Sequence, residues 1–354
     1  MADRRIAPGW LPIAAIASLV LFVGAVLLSA GSTLGYDYQA YAAAAQRLIH
    51  GQALYDTSIS VSGGFLFYYY PPPFALIALP FAVLPASLGP AAWIAAMAAA
   101  FLAGVALLPV RRECRWLILL LGGLSWPLAY SLKLGQVGPL LFLLFAAGWR
   151  WLERPGRLGV SIALGTIVKI QPAVVLAWAV LDRRWRTIGI AALVLLVAAV
   201  IATLVTGLGT WADYLTVLKQ VSAPVTTPHN FTPGAIAFQL GASEALATGL
   251  QLAVTVAVLV TIGWTALRSP AEVGYLTAVT ASQLLSPVLW DHYAVLLLLP
   301  VAWLLERRRW WAALIPLATA TPIVLIGIVP AAVYPILFGV GLMAPPLVAA
   351  RGRE

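Results

Sequence analysis

Residues 10–30, WLPIAAIASLVLFVGAVLLSA, hold no charged side chain. A helix through them rises about 30 Å, the thickness of a bilayer's hydrocarbon core. The stretch therefore predicts a membrane-spanning helix. The polar residues after it make a poor leader-cleavage site, so it reads as an uncleaved first span, with Arg4 and Arg5 keeping the N-terminus on the cytoplasmic side.

The rest of the chain has the same character. Its 354 residues are 62% hydrophobic and 9% charged, with mean hydropathy +0.96, whereas soluble domains carry roughly 25% charged residues. A soluble globule and a disordered chain are both excluded, and the single cysteine, Cys114, rules out an internal disulfide scaffold. The net charge of +9 forms no polybasic stripe for nucleic acid; loops flanking spans account for it better. At about 20 residues per span, the chain holds on the order of ten to thirteen crossings.

Outward from the first span, residues 31–71 carry Asp37, Arg47, His50 and Asp56 and are too polar to cross. They read as an extracytoplasmic loop whose Ala-rich segment Tyr38 to His50 forms a short surface helix ended by Gly51. If both 72–88 and 90–110 crossed, the clusters RRECR (111–115) and ERPGR (153–157) would lie outside, against the positive-inside rule. The segment 72–88, broken by Pro80 and Pro85, is therefore expected to be re-entrant or juxtamembrane.

The remaining crossings are expected at about 90–110, 116–132, 139–152, 158–169, 172–182, 187–208, 242–267, 272–289, 293–305, 310–328 and 331–349, making twelve with the first and placing both termini inside. The pair 158–169 and 172–182 is short for a full span and calls for a thinned bilayer or a cavity. On this arrangement seventeen arginines lie inside, while Lys133, Lys169, Lys219 and all three histidines lie outside with Asp37, Asp56, Asp213, Glu244 and Asp291. Polar chemistry is thus concentrated on one face. No internal repeat is visible, and residues 1–354 read as one membrane domain.

Several residues on that face could do chemistry. Asp37, in GYDYQAY, is either a general base at the membrane surface or the N-cap of the helix that follows. Lys133 with Gln136 (SLKLGQVG) and Lys169 with Gln171 (IVKIQP) sit in turns between apolar helices. A lysine there costs about 2.5–3.5 kcal/mol on insertion scales unless it reaches water or an anion, so snorkelling and phosphate binding are the alternatives. His229 and Asn230 lie in a Pro-rich loop, and Asp291 and His292 in SPVLWDHY; the histidines suit phosphate contact or proton transfer, or membership of an interfacial aromatic belt. Tyr69 and Tyr70, in YYYPPP, could stack on a sugar or line a lipid groove, or belong to the same belt. There is no HxxxH, DxD or CxxC spacing and no GxGxxG or Walker loop, so neither a metal nor a nucleotide cofactor is expected.

The ordered set of motifs, GQALYD, FYYYPPP, GQ-x-x-P-LL, I-x-K-x-x-P and SP-x-x-WDH-Y, with an acidic residue after the first span, resembles glycosyltransferase family 87 over about residues 30–305. That family comprises membrane enzymes of the GT-C fold, including α-1,2-mannosyltransferases that use polyprenyl-phosphate-mannose. The resemblance implies a GT-C-type module over 1–208, with outer loop 31–89 and C-terminal helices over 209–354. It implies Asp37 as the catalytic base, Lys133, Gln136, Lys169 and His292 around the donor phosphate, and Tyr69, Tyr70, Gln171, His229, Asn230 and Asp291 as further substrate contacts. A polyprenyl-phosphate sugar donor, a glycolipid or glycan acceptor and a plasma-membrane location with an extracytoplasmic site follow from the same likeness. A single base predicts inversion at the anomeric carbon, unlike retaining enzymes with two close carboxylates. The rival class, a transporter or flippase of lipid-linked sugars, would place ionisable groups at the midplane and show repeats.

Overall fold

The computed structural model describes residues 9–57, 67–220 and 225–351. The expected cytoplasmic placement of Arg4, Arg5 and Arg353 falls outside them. Within the described residues every regular element is helical, and β pairing is confined to an isolated bridge between Ser125 and Ala320.

Among the described residues five helices are long and apolar enough to cross a membrane: Trp10–Leu28, Gly89–Leu107, Trp185–Thr206, Glu244–Arg268 and Val333–Arg351. Only 11% of the apolar window of Trp185–Thr206 and 17% of that of Glu244–Arg268 is buried by protein. Such surfaces are stable in lipid and not in water, so the chain is a membrane protein. A sixth span exists if Trp126–Leu134 and Gly138–Arg150, bent by 119°, count as one.

Full-length helices at all twelve expected crossings are not what the structure contains, because proline and glycine cut several of them. The 116–132 segment breaks at Ser125, which is extended ahead of Trp126–Pro127, and the Trp126 N–H leaves its helix to donate to the Thr319 carbonyl at 2.7 Å. The 310–328 segment becomes three short turns, 310–313, 314–317 and 321–325, with Pro316 and Pro322 inside it. The short pair is found at Pro155–Val168 and Gln171–Leu181. In the 72–88 segment Pro80 stays within the helix Pro72–Ala82, so the chain breaks after Ala82, ahead of Pro85, and not at Pro80.

Close helix contacts rest on small residues, as expected where lipid removes the hydrophobic drive between helices. A Cβ on Gly104 would sit 2.7 Å from the Phe142 ring, and one on Gly159 would sit 2.6 Å from the Thr187 carbonyl oxygen. The core between these helices is built from Trp93, Phe101, Phe142, Phe145, Trp178 and Trp303, all buried.

Charge is sorted by end. Arg111 pairs with Glu306 at 2.9 Å and Arg307 with Glu272, joining three inter-helix turns, and Arg184 pairs with Asp182 at 2.6 Å and Glu153 at 3.1 Å, joining two more. Gly138–Arg150, Pro155–Val168 and the run 291–306 lead from this arginine-bearing end to a second polar cluster containing Gln136, Lys169 and His292.

Gly159→Val should lower the thermal midpoint in detergent by an amount corresponding to about 1–3 kcal/mol, because the backbone oxygen it meets cannot move aside. Gly156→Ala, whose Cβ meets nothing nearer than Ile190 Cδ1 at 4.0 Å, should melt like the wild type.

Candidate active site

The second cluster is assembled from five separate segments. Helix Tyr36–Ile49 begins after Gly35, whose left-handed backbone (φ 72°) suits glycine. The Gly35 N–H donates to the Lys133 carbonyl at 2.7 Å, pinning the start of this helix to the turn that ends Trp126–Leu134. That turn closes through Gly135, also left-handed at φ 72°, whose carbonyl accepts from Trp93 Nε1 at 2.7 Å. A Cβ on Gly135 would lie 2.9 Å from Tyr38 Cβ, so glycine is required there for space as well as for dihedral angle.

The two glycine turns bring Asp37 to Gln136. Asp37 lies inside the first turn of its helix and makes no cap, so the capping reading is set aside in favour of a side-chain contact across the turn. Gln136 Nε2 donates to Asp37 Oδ2 at 2.6 Å, while Gln136 Oε1 accepts from Tyr70 Oη at 3.2 Å and Tyr41 Oη at 3.5 Å. The two tyrosine hydroxyls lie 2.8 Å apart. The Gln136 amide, expected at a phosphate, is thus committed to holding the carboxylate.

Opposite stand two groups that carry or can carry positive charge. Lys169 follows the last residue of Pro155–Val168 and is extended at the break before Pro172. It is only 5% exposed, yet among the described residues no carboxylate pairs with it. Its ammonium instead donates to the Tyr293 hydroxyl and lies 3.9 Å from the Tyr293 ring centroid and 5.7 Å from that of Tyr70. Cation–π contacts of this kind are worth up to about 2 kcal/mol when desolvated, less than the cost of a buried charge. His292, 2% exposed, sits among the rings of Trp290, Tyr293 and Tyr130, with Nδ1 3.6 Å from Asp291 Oδ1. Both His292 ring nitrogens, Trp290 Nε1 and Gln171 Oε1 are buried with no hydrogen-bond partner in the protein. The His292 ring nitrogens, the Trp290 N–H and the Lys169 ammonium are groups able to donate to an anion, whereas Gln171 Oε1 can only accept.

Burial pushes the Asp37 carboxyl above its ordinary value; His292, the Gln136 hydrogen bond and Lys169 act in the opposite direction and favour the charged form. The arrangement offers a carboxylate able to take a proton, facing two groups able to hold an anion.

The other expected site residues divide. Tyr69 stacks on Tyr70 at 4.9 Å and meets the Trp290 ring edge-on, and Tyr70 is buried against Tyr41. Gln171 donates to Ser286, and Asp291 accepts from Trp126 Nε1 at 2.9 Å and from the His292 N–H at 2.7 Å. Lys133 is half-buried with its ammonium 5.8 Å from the Tyr130 ring, and contributes its backbone carbonyl rather than its charge to the Asp37 turn. Asn230 bonds the backbone of Thr232, Pro287 and Leu289 through its amide, stapling two loops. His229 beside it is exposed at a left-handed turn (φ 56°).

Sequence reading missed Tyr41, Tyr293, Trp126 and Tyr130. Tyr41 was accessible, being four residues after Asp37 and so on the same helix face. Trp126 and Tyr130 share that spacing and stack at 5.0 Å.

The family model described as glycosyltransferase family 87 matches residues 68–290, well over half of the chain. No curated protein and no solved structure matches it.

Gln136→Leu removes the donor that favours ionised Asp37 and should drive its carboxyl further up. An infrared pH titration of the carboxyl band, with Asp37→Asn as the blank, should show the midpoint move to higher pH.

Proposed function

Because the chain belongs to glycosyltransferase family 87, and so is a glycosyltransferase of the membrane, we propose that it moves a sugar from a polyprenyl-phosphate donor to a hydroxyl of a glycolipid or glycan, with Asp37 as general base. The observation that carries this reading is the Asp37 carboxylate, bonded by Gln136 and within electrostatic reach of Lys169 and His292. Mannose is the sugar we assign to the donor.

The chemistry needs little else. Asp37 takes the proton of the acceptor hydroxyl as that oxygen bonds to the anomeric carbon from the face opposite the phosphate. The bond from the anomeric carbon to the phosphate oxygen breaks, and its electron pair leaves with the polyprenyl phosphate. A monoanionic diester becomes a monoester of higher charge, so cationic groups placed at that oxygen are worth more in the transition state than in the ground state. Lys169 and the imidazole of His292 fill that role, with the Trp290 N–H as a further donor. One displacement by one base gives inversion. Gln136 acts as a positioning residue for Asp37, and Tyr69 and Tyr70 wall the pocket.

The arginine-bearing end is assigned to the cytoplasm under the positive-inside rule, which puts the Asp37 cluster at the extracytoplasmic face of the plasma membrane. On this assignment the short and broken helices complete a twelve-fold traverse, sheltered by the five long ones.

Asp37→Asn keeps an acceptor for Gln136 while removing the base. It should fold as the wild type and lose about 10²–10⁴-fold in turnover, measured with radiolabelled polyprenyl-phosphate-mannose and membrane acceptors. Wild-type turnover by the folded variant would overturn the reading. The base must be ionised, so activity should rise with pH through a limb lying above the ordinary carboxylate range. Lys169→Met, by removing a charge that favours the ionised form, should move that limb to higher pH as well as slow the reaction.

A further inference from the structure

The arginine-bearing end holds a feature that the transfer reaction does not use. Gly138–Arg150 and Pro155–Val168 are consecutive, and their facing sides leave a seam. Leu144, Ala147 and Trp151 line it from one side, and Arg157, Val160 and Leu164 from the other, enclosing a cavity of about 350 Å3. Val160 and Leu164 are exposed at 38% and 37%, so the seam opens outward along the apolar flank of the molecule. From Arg157 to Leu164 it runs about 10 Å along the helix axis. Gly156 lines the seam at its arginine-bearing end.

At that end the wall turns polar. Trp151 is shared with a second cavity of about 480 Å3, lined by Arg150 and Arg154 together with Glu153 and Glu272. Glu272 is matched by Arg307, while Glu153 shares Arg184 with Asp182, so one carboxylate offsets part of the basic charge here. Arg150, Arg154 and Arg157 are exposed, and among the described residues none has an ion-pair partner. The Arg157 guanidinium lies 5.1 Å from the Trp151 ring centroid, above the apolar seam. An apolar trough that ends under three unmatched cations has the charge layout of a lipid with a negative headgroup.

We propose that this seam binds one anionic glycerophospholipid from the leaflet at the arginine-bearing end. The phosphate lies among Arg150, Arg154 and Arg157 against Trp151, and an acyl chain lies along Leu144, Val160 and Leu164. A zwitterionic lipid places an ammonium beside the same arginines and is disfavoured. Its headgroup end lies at the arginine-bearing end of helix Pro155–Val168, whose other end leads to Lys169.

The test is native mass spectrometry of the full-length protein, delipidated in detergent and titrated with dioleoyl-phosphatidylglycerol or dioleoyl-phosphatidylcholine. One phosphatidylglycerol should be retained about tenfold more tightly than phosphatidylcholine, and the preference should vanish in Arg154→Gln/Arg157→Gln. Gly156→Leu, placed where a Cβ meets no close neighbour, fills the seam without touching the arginines and should lower retention of both lipids. Brominated phosphatidylglycerol should quench the wild type more than Trp151→Phe. Equal retention of the two lipids, an unchanged preference in the double arginine variant, or displacement by millimolar inorganic phosphate would each overturn the proposal, the last by marking a soluble-anion site.

Discussion

The polar cluster depends on one backbone hydrogen bond, from the Gly35 N–H to the Lys133 carbonyl. It joins the beginning of the first helix after the leading span to a turn about a hundred residues later in the chain, and only then can the Gln136 amide meet Asp37. Both turns are left-handed glycines, so the contact is set by backbone geometry before side chains are considered. The tyrosine pair behind Gln136 completes the arrangement: with Oε1 occupied by two hydroxyls, the amide presents its nitrogen to the carboxylate.

Burial sets the electrostatics around that contact. Asp37 is desolvated enough for its carboxyl to rise, while Lys169 and His292 hold the shift back. Lys169 finds aromatic faces and a hydroxyl but no carboxylate, and His292 finds rings on several sides. Such an assembly is a poor way to stabilise a fold. Its retention in a chain otherwise stripped of buried charge is understandable when an anion belongs among these groups.

The positions of Asp37, Lys169 and His292 were legible in the sequence because charge is expensive in an apolar chain, so each charged residue outside the arginine loops stood out. Gln136 stood out with them, but its partner did not: the choice between a phosphate and Asp37 is made by the fold of two turns. Tyr41 and Tyr293 were hidden by abundance, since aromatic residues populate every membrane interface. Asn230 stands out by its loop, and its bonds to the backbone of a second loop could not be read from the sequence. Hydropathy averages over prolines, so it shows expected crossings as continuous where the helices are cut. Windows at 116–132 and 310–328 are apolar enough to suggest spans, but their helices are interrupted and sheltered by neighbours. Hydropathy registers the solvent a segment prefers and is blind to whether that solvent is lipid or protein.

The contact between Lys169 and Tyr293 bridges 124 residues of chain. During synthesis at about 5–20 residues per second the lysine is made roughly 6–25 s before its tyrosine exists. For that interval the hairpin Pro155–Leu181 must keep its ammonium at a watery surface, and its shortness makes this feasible. The site therefore closes late, when the run 291–306 arrives and carries Tyr293 and His292 in together. The Lys169–Tyr293 contact can therefore form only after more than four fifths of the chain has been made.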